Sequence, residues 1–210
     1  MASASPRRQA LIGVLGLESR VAPVDLDEAA YLLDDAFVSA LNVAAAKARA
    51  VTSQADEVVL AADTLVVAED AEILGKPTDA QSALRMLSKL RGRPHQVLTG
   101  VALRASDGRH WGAVVATLVY LRAYTDSEIE AYIARGEPFD KAGGYAIQDT
   151  VFAPVEHLEG CYLNVVGLPL CAVAAGLAAL GVSSITCTDC RPPCDLCRAG
   201  APLVAIRSAY

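Results

Sequence analysis

Two adjacent arginines, Arg7 and Arg8, follow Ser3, Ser5 and Pro6 within the first eight residues. A guanidinium presents a planar fork of donors that grips two phosphate oxygens at once, and neighbouring hydroxyls add further contacts. Ser5 and Pro6 suit the N-cap and first position of a helix running from Arg7 to about Leu15 and closed by Gly16. Both arginines then fall in a first helical turn, where free N–H groups and the helix dipole favour an anion. A solvated helix face is the plainer alternative. A second candidate is Asp63, which follows five apolar residues and so reads as a carboxylate closing a buried strand, with Thr64 beside it. A charge there is costly unless a metal or a cation compensates it; a turn aspartate is the plainer alternative.

Two further segments offer chemistry. Lys76 stands between Gly75 and Pro77, which restrict the backbone and fix where its ammonium is delivered. In GEPFDKAGGYAIQD, residues 136–149, Asp140 and Lys141 precede two glycines that let backbone approach a ligand closely. Gln148 offers an amide that can read a base edge or position a water.

Elements must hold these groups in place. The alanine-rich residues 36–52 read as a helix with Lys47 and Arg49 near its end. Residues 58–63 read as a strand, continued by residues 65–67. Thr78 with Gln81 and Thr125 with Glu128 form capping-box patterns that start helices ending near Leu90 and at Gly136. Residues 96–103 and 113–122, rich in Val, Leu, Thr and Tyr, read as two strands joined by a turn at Ser106, Asp107 and Gly108. Residues 170–180 form a last apolar helix stopped by Gly181. The order implies an α/β or α+β domain.

The chain has 210 residues, 53% of them hydrophobic, enough to bury a large core. Eighteen Lys and Arg against 24 Asp and Glu give a net charge of −6, which disfavours stable nucleic-acid binding and attraction to an anionic membrane. The start lacks the basic and apolar regions of a secretory signal, so a cytoplasmic protein is expected. Residues 160–188 contain no Asp, Glu, Lys or Arg, but Gly167 and Pro169 interrupt them, and the eleven-residue helix suits a core better than a bilayer.

SASPRR, DLDE ending at Glu28, the alanine-rich stretch around Lys47, ADT at Asp63, GKPTD at Gly75, LRGRPHQVLTGVAL, GEPFDKAGGYAIQ and GCYLNVVGLPL occur in this order across residues 1–181. Together they resemble the Maf family of nucleoside triphosphate pyrophosphatases. The resemblance implies an elongated α/β fold like that of the inosine triphosphate pyrophosphatases: a mixed sheet flanked by helices, a cleft between two lobes, and a homodimer. It also implies hydrolysis between the α and β phosphates, with the SPRR form pointing to the branch acting on dTTP and UTP. In that branch the residues matching Arg8, Thr64 and Gln148 are associated with base choice, and the one matching Asp63 is the proton acceptor. Ser3, Arg7, Glu28, Lys47 and Lys76 match other active-site positions. A 7-methyl-GTP pyrophosphatase and a noncatalytic nucleotide-binding regulator of septum formation are the alternatives.

The chemistry of the residues agrees with this expectation. Arg7, Arg8, Lys47 and Lys76 supply four positive charges for a triphosphate, and Glu28 and Asp63 supply hard oxygen ligands suited to Mg²⁺ or Mn²⁺. Asp63 acts as base, ligand or both. Three features depart from the family. Met1 stands where related chains have an apolar strand, so that strand is nearly absent: either the true start lies upstream or the phosphate loop hangs from a weak anchor. Arg91 and Leu163 replace serines. The tail, residues 182–210, carries Cys187, Cys190, Cys194 and Cys197 spaced C-x2-C-x3-C-x2-C, a candidate tetrahedral zinc site whose short middle spacing leaves an iron–sulfur site, labile disulfides or an idle tail as alternatives. Cys161 and Cys171 read as core thiols.

Overall fold

The computed structural model describes residues 1–182; the four tail cysteines lie outside them. Strands β1 (Val58–Ala68), β2 (Ile73–Leu74), β3 (Pro94–Ala105), β4 (His110–Leu121) and β5 (Val155–Glu159) form one sheet in the order β2-β1-β3-β4-β5. The α/β class holds, but the expected mixed sheet does not: every pairing among the described strands is antiparallel. The physical reason is local connection. β3 and β4 form the predicted hairpin over Gly108, and β5 returns beside β4.

Among the described residues six α-helices cover the sheet: α1 (Pro6–Val14), α2 (Ala36–Ala50), α3 (Ala80–Leu90), α4 (Asp126–Ala134), α5 (Tyr162–Val166) and α6 (Leu170–Ala179). Ser5 caps α1 through its hydroxyl, and the Thr125–Glu128 box opens α4 as predicted. For α3 the box forms one residue later than Thr78 and Gln81: Asp79 accepts from the Ser82 backbone at 2.7 Å and Ser82 Oγ accepts from the Asp79 N–H at 3.1 Å. A carboxylate in the N-cap position outcompetes the hydroxyl before it. Arg91 acquires a role of its own, donating to Asp126 Oδ1 at 2.6 Å and so tying the end of α3 to the start of α4.

The period of two along β1 sorts the core. Val59, Ala61 and Leu65 face α2, packing against Ala44, Ala48 and Ala40. Helix α2 can lie close because Gly100 on β3 has no Cβ. On the opposite face, Leu60 and Ala62 join a cluster with Ile12, Leu170 and Val173, while Val66 and Ala68 join another with Leu87, Ile129 and Tyr132. Between these clusters the same face carries Thr64 and Thr99, paired across the sheet. Apolar packing is therefore interrupted midway, and a cleft opens there. Within α6, Leu170 and Val173 are buried, and no helix of the described residues is long and apolar enough to cross a membrane.

Candidate active site

The cleft, about 280 Å³ in volume, lies at the outer edge of β1. β2 pairs with β1 only at Val66 and Val67, and the chain start reaches this edge through one bond, Ala2 N–H to Leu60 O at 2.8 Å. The stretch between has no strand partner among the described residues. Side chains occupy it instead. Arg8 Nη1 donates to Ala62 O at 2.8 Å, Nε to Gly167 O at 2.8 Å and Nη2 to Thr64 Oγ1 at 2.9 Å. Burial pushes the Arg8 guanidinium below its ordinary value, while Asp63 and Glu28 act to hold it up. Gly167 takes φ +118°, a conformation suited to glycine, and this turn after α5 brings its carbonyl to Arg8.

Asp63 does not close the strand, as its position after five apolar residues suggested. It sits in the middle of β1, because Thr64 to Ala68 continue the pairing with β3. Being adjacent in an extended strand, Asp63 and Thr64 point to opposite faces; the bare edge lets one cleft wrap over both. Asp63 is buried, and Lys47 from α2 reaches it at 2.7 Å while also meeting Glu28 Oε1 at 2.7 Å. The buried carboxylate is thereby compensated. Glu28 begins a short 3-10 turn, Glu28–Tyr31, capped by Asp27, an element with no clear signal in its acidic stretch.

The far wall comes from residues 140–148. Arg7 Nη1 donates to Asp140 Oδ2 at 2.9 Å, and Lys141 Nζ donates to Asp140 Oδ1 at 2.6 Å. Burial pushes the Asp140 carboxyl up, but hydrogen bonds from Lys141 and Arg7 outweigh it and leave the group below its usual range. Lys76, exposed on the loop after β2, joins the rim, and that loop is fastened by Gly143 N–H to Gly75 O at 3.0 Å. Gln148 also lines the cleft.

Nearly every residue singled out by sequence is thus brought together: Arg7, Arg8, Glu28, Lys47, Asp63, Thr64, Lys76, Asp140, Lys141 and Gln148 all line one cavity. Ser3 is the exception. Its buried hydroxyl lies behind the lining, accepting from Ser5 N–H at 3.2 Å and Arg8 Nη1 at 3.5 Å, so it braces the arginine turn instead of facing a ligand. Five cations stand against the three carboxylates of Glu28, Asp63 and Asp140, a local positive excess in an acidic chain that draws in a polyanion. Sequence reasoning passed over Tyr145, Ile147, Val165 and Val166, which give the cavity an apolar wall, and Gly167. The apolar GCYLNVVGLP segment carried the signal of Val165, Val166 and Gly167, and GEPFDKAGGYAIQD that of Tyr145 and Ile147, but hydrophobicity alone reads as core.

A model of the Maf-like protein family matches residues 1–180. The chain is 46% identical over 184 residues to a dTTP/UTP pyrophosphatase of Citrifermentans bemidjiense, covering 86% of this chain and 94% of that protein. It is 49% identical to a dTTP/UTP pyrophosphatase of Anaeromyxobacter dehalogenans, covering 86% and 93%. This chain belongs to the Maf family. A third Maf relative, a dTTP/UTP pyrophosphatase of Syntrophotalea carbinolica, is 42% identical over 205 residues, covering 92% of this chain.

The donor set near Lys47 also bears on the divalent ion expected of a Maf site. Oxygens of Glu28 and Asp63 converge on one cation, the Lys47 ammonium, each at 2.7 Å. Two hard carboxylates beside an open cavity fit Mg²⁺, which is commonly held by one or two carboxylates with water and substrate phosphates completing the shell. Among the described residues no group of three or more His, Cys, Asp or Glu offers a cage made by protein alone.

Proposed function

We propose that this chain hydrolyses dTTP and UTP to the monophosphate and pyrophosphate, with the triphosphate lying across the bare edge of β1. The observation that carries this reading is the meeting of the opening arginines, the Lys47-bridged acids and Thr64 in one cavity. The activity for which the relatives are named supports it.

In this reading the two faces of β1 divide the substrate. The α2 face, with Lys47, Glu28 and Asp63, receives the phosphates, and the other face, with Thr64, Arg8 and Gln148, receives the base. Arg7, Lys76 and Lys141 neutralise phosphate oxygens; phosphoryl transfer draws most of its acceleration from such positioning and charge stabilisation. Glu28 and Asp63 are the residues that would hold Mg²⁺ or Mn²⁺, which supplies Lewis-acid polarisation when bound. Asp63 takes the proton of the water that attacks the α phosphorus, and pyrophosphate departs. Lys47 holds the Asp63 carboxylate in place for that transfer. The family resemblance carries a homodimer and the cytoplasm into the same reading, and light scattering measures the first.

Incubation with Mg²⁺ and a panel of UTP, dTTP, CTP, GTP and 7-methyl-GTP, reading pyrophosphate and orthophosphate separately, tests the function. Pyrophosphate from UTP and dTTP is expected. Orthophosphate release, or turnover of 7-methyl-GTP without UTP, would overturn it.

A further inference from the structure

The gap between the two apolar clusters is filled by a chain of hydroxyls whose proton directions can be deduced. Thr99 and Asn164 are completely buried, and Thr64 is half-buried on the cleft lining. The Asn164 carbonyl oxygen can only accept, and it takes Gly167 N–H at 3.0 Å and Thr99 Oγ1 at 3.1 Å. Thr99 has one hydroxyl proton, and this contact uses it. The 2.9 Å contact between Thr64 Oγ1 and Thr99 Oγ1 therefore runs from Thr64 to Thr99. Arg8 Nη2, which can only donate, fills one lone pair of Thr64 Oγ1 at 2.9 Å. What Thr64 has left is a single lone pair.

The far end of this chain is pinned. Asn164 Nδ2 donates to Val97 O and to Thr117 Oγ1, both at 2.9 Å, and Thr117 in turn donates to Cys161 O at 3.2 Å. Turning the amide over would set its oxygen against the Val97 carbonyl, so Asn164 keeps its place on β3 and β4. At the near end, Arg8 spends four of its five N–H groups on Gly167, Ala62, Ser3 and Thr64, leaving one on Nη2.

We propose that Thr99, held by Asn164, is a specificity-determining positioning residue. It fixes the Thr64 hydroxyl proton inward, so that the cleft presents an acceptor beside the remaining Arg8 donor. That pair selects a base edge with a ring N–H next to a carbonyl. The imide of uracil or thymine has this order, whereas cytosine carries an acceptor at the same ring nitrogen. The inference rests on the proposed pyrimidine triphosphate reaction and names what the base side of that site reads.

The test compares kcat/KM for UTP and CTP in the full chain and in two variants. Thr99→Val removes the acceptor, freeing the Thr64 proton to turn toward the cleft and oppose the imide N–H; the UTP-to-CTP ratio is expected to fall tenfold or more, since unpaired polar groups in a binding site discriminate strongly. Thr99→Ser keeps the hydroxyl and should restore the ratio. An equal loss on both nucleotides, or an unchanged ratio, overturns the proposal. Should Thr99→Val not fold, the native chain decides the matter with UTP methylated at N3: a tenfold or greater loss relative to UTP supports the acceptor, and equal turnover overturns it. Wild-type inactivity toward both UTP and dTTP would instead sink the reaction itself, and this inference with it.

Discussion

Gly100 pairs with Asp63 across the sheet and faces α2, and a Cβ built there would lie 2.2 Å from the Ala40 carbonyl oxygen, 2.4 Å from its carbon and 2.8 Å from Leu41 N. All three atoms are helix backbone, so no side-chain rotation relieves the overlap. Restoring an ordinary carbon–oxygen contact of about 3.3 Å requires α2 to retreat by roughly 1 Å. Lys47 lies two turns further along the same helix, and its 2.7 Å contacts with Glu28 and Asp63 would stretch out of hydrogen-bond range. For Gly100→Ala the expected cost is at the upper end of the overpacking range, about 3 kcal/mol. For a domain of this size that lowers Tm by roughly 6–12 °C. Displacing the catalytic group by this distance should also cost about a hundredfold in turnover. Thermal unfolding and pyrophosphate release measure the two effects. Gly13→Ala, on α1 with nothing within 4 Å of its added methyl, is the control and should stay within about 1 kcal/mol of the parent. A Gly100→Ala protein that melts and turns over like the parent would refute the claim that α2 is seated by the missing Cβ.

Asp63→Asn should fold, since Lys47 keeps Glu28, yet lose at least about a hundredfold in kcat, the lower scale for a general base; near-normal pyrophosphate release would remove Asp63 from the mechanism. Arg8→Lys should lower stability by about 1–3 kcal/mol because a point charge cannot serve Gly167, Ala62 and Thr64 together, and an unchanged urea midpoint would contradict this. Burial pushes His95, paired with the Tyr145 hydroxyl at 2.7 Å, down to about 4. The unfolded chain binds this proton below about pH 6.5 and the native one does not. Stability should therefore fall as pH drops from about 6.5 to about 4, by about 3 kcal/mol in all. His95→Gln should flatten that slope in denaturant midpoints taken across the window; parallel slopes for both proteins would rule out the imidazole as its source.

Asp63 was legible because a carboxylate in apolar surroundings needs a reason, and the opening arginines because of their place in a first helical turn, whereas Glu28 and Lys47 stood out only through the family resemblance; Asp63 and Lys47 proved to be each other's partner. The placement of Asp63 was misread. A run of five apolar residues followed by a carboxylate looks like a strand end even where residues 65–67 read as its continuation, and the unbroken pairing with β3 through Ala68 puts the carboxylate in mid-strand. The partition of Asp63 and Thr64 onto opposite faces follows from strand geometry, but which edge stays bare depends on where β2 stops. The hydroxyl chain was out of reach: Thr99 is 35 residues from Thr64, and Asn164 is 65 from Thr99. Neither sits in a spacing that single-chain patterns detect. Ser3 shows the opposite limit, since a motif position signals importance without telling a ligand contact from a brace.

A strand margin left bare for substrate is also a template on which another polypeptide can add by backbone pairing. Here the vacancy is only a few residues long, bounded by Ala2 on Leu60 and by β2 at Val66, and the outward carbonyl of Ala62 is already taken by Arg8. An incoming peptide would have to evict a guanidinium with three other attachments before gaining its first rung. The arginine that helps shape the nucleotide cleft thereby also guards the protein against self-association along its sheet.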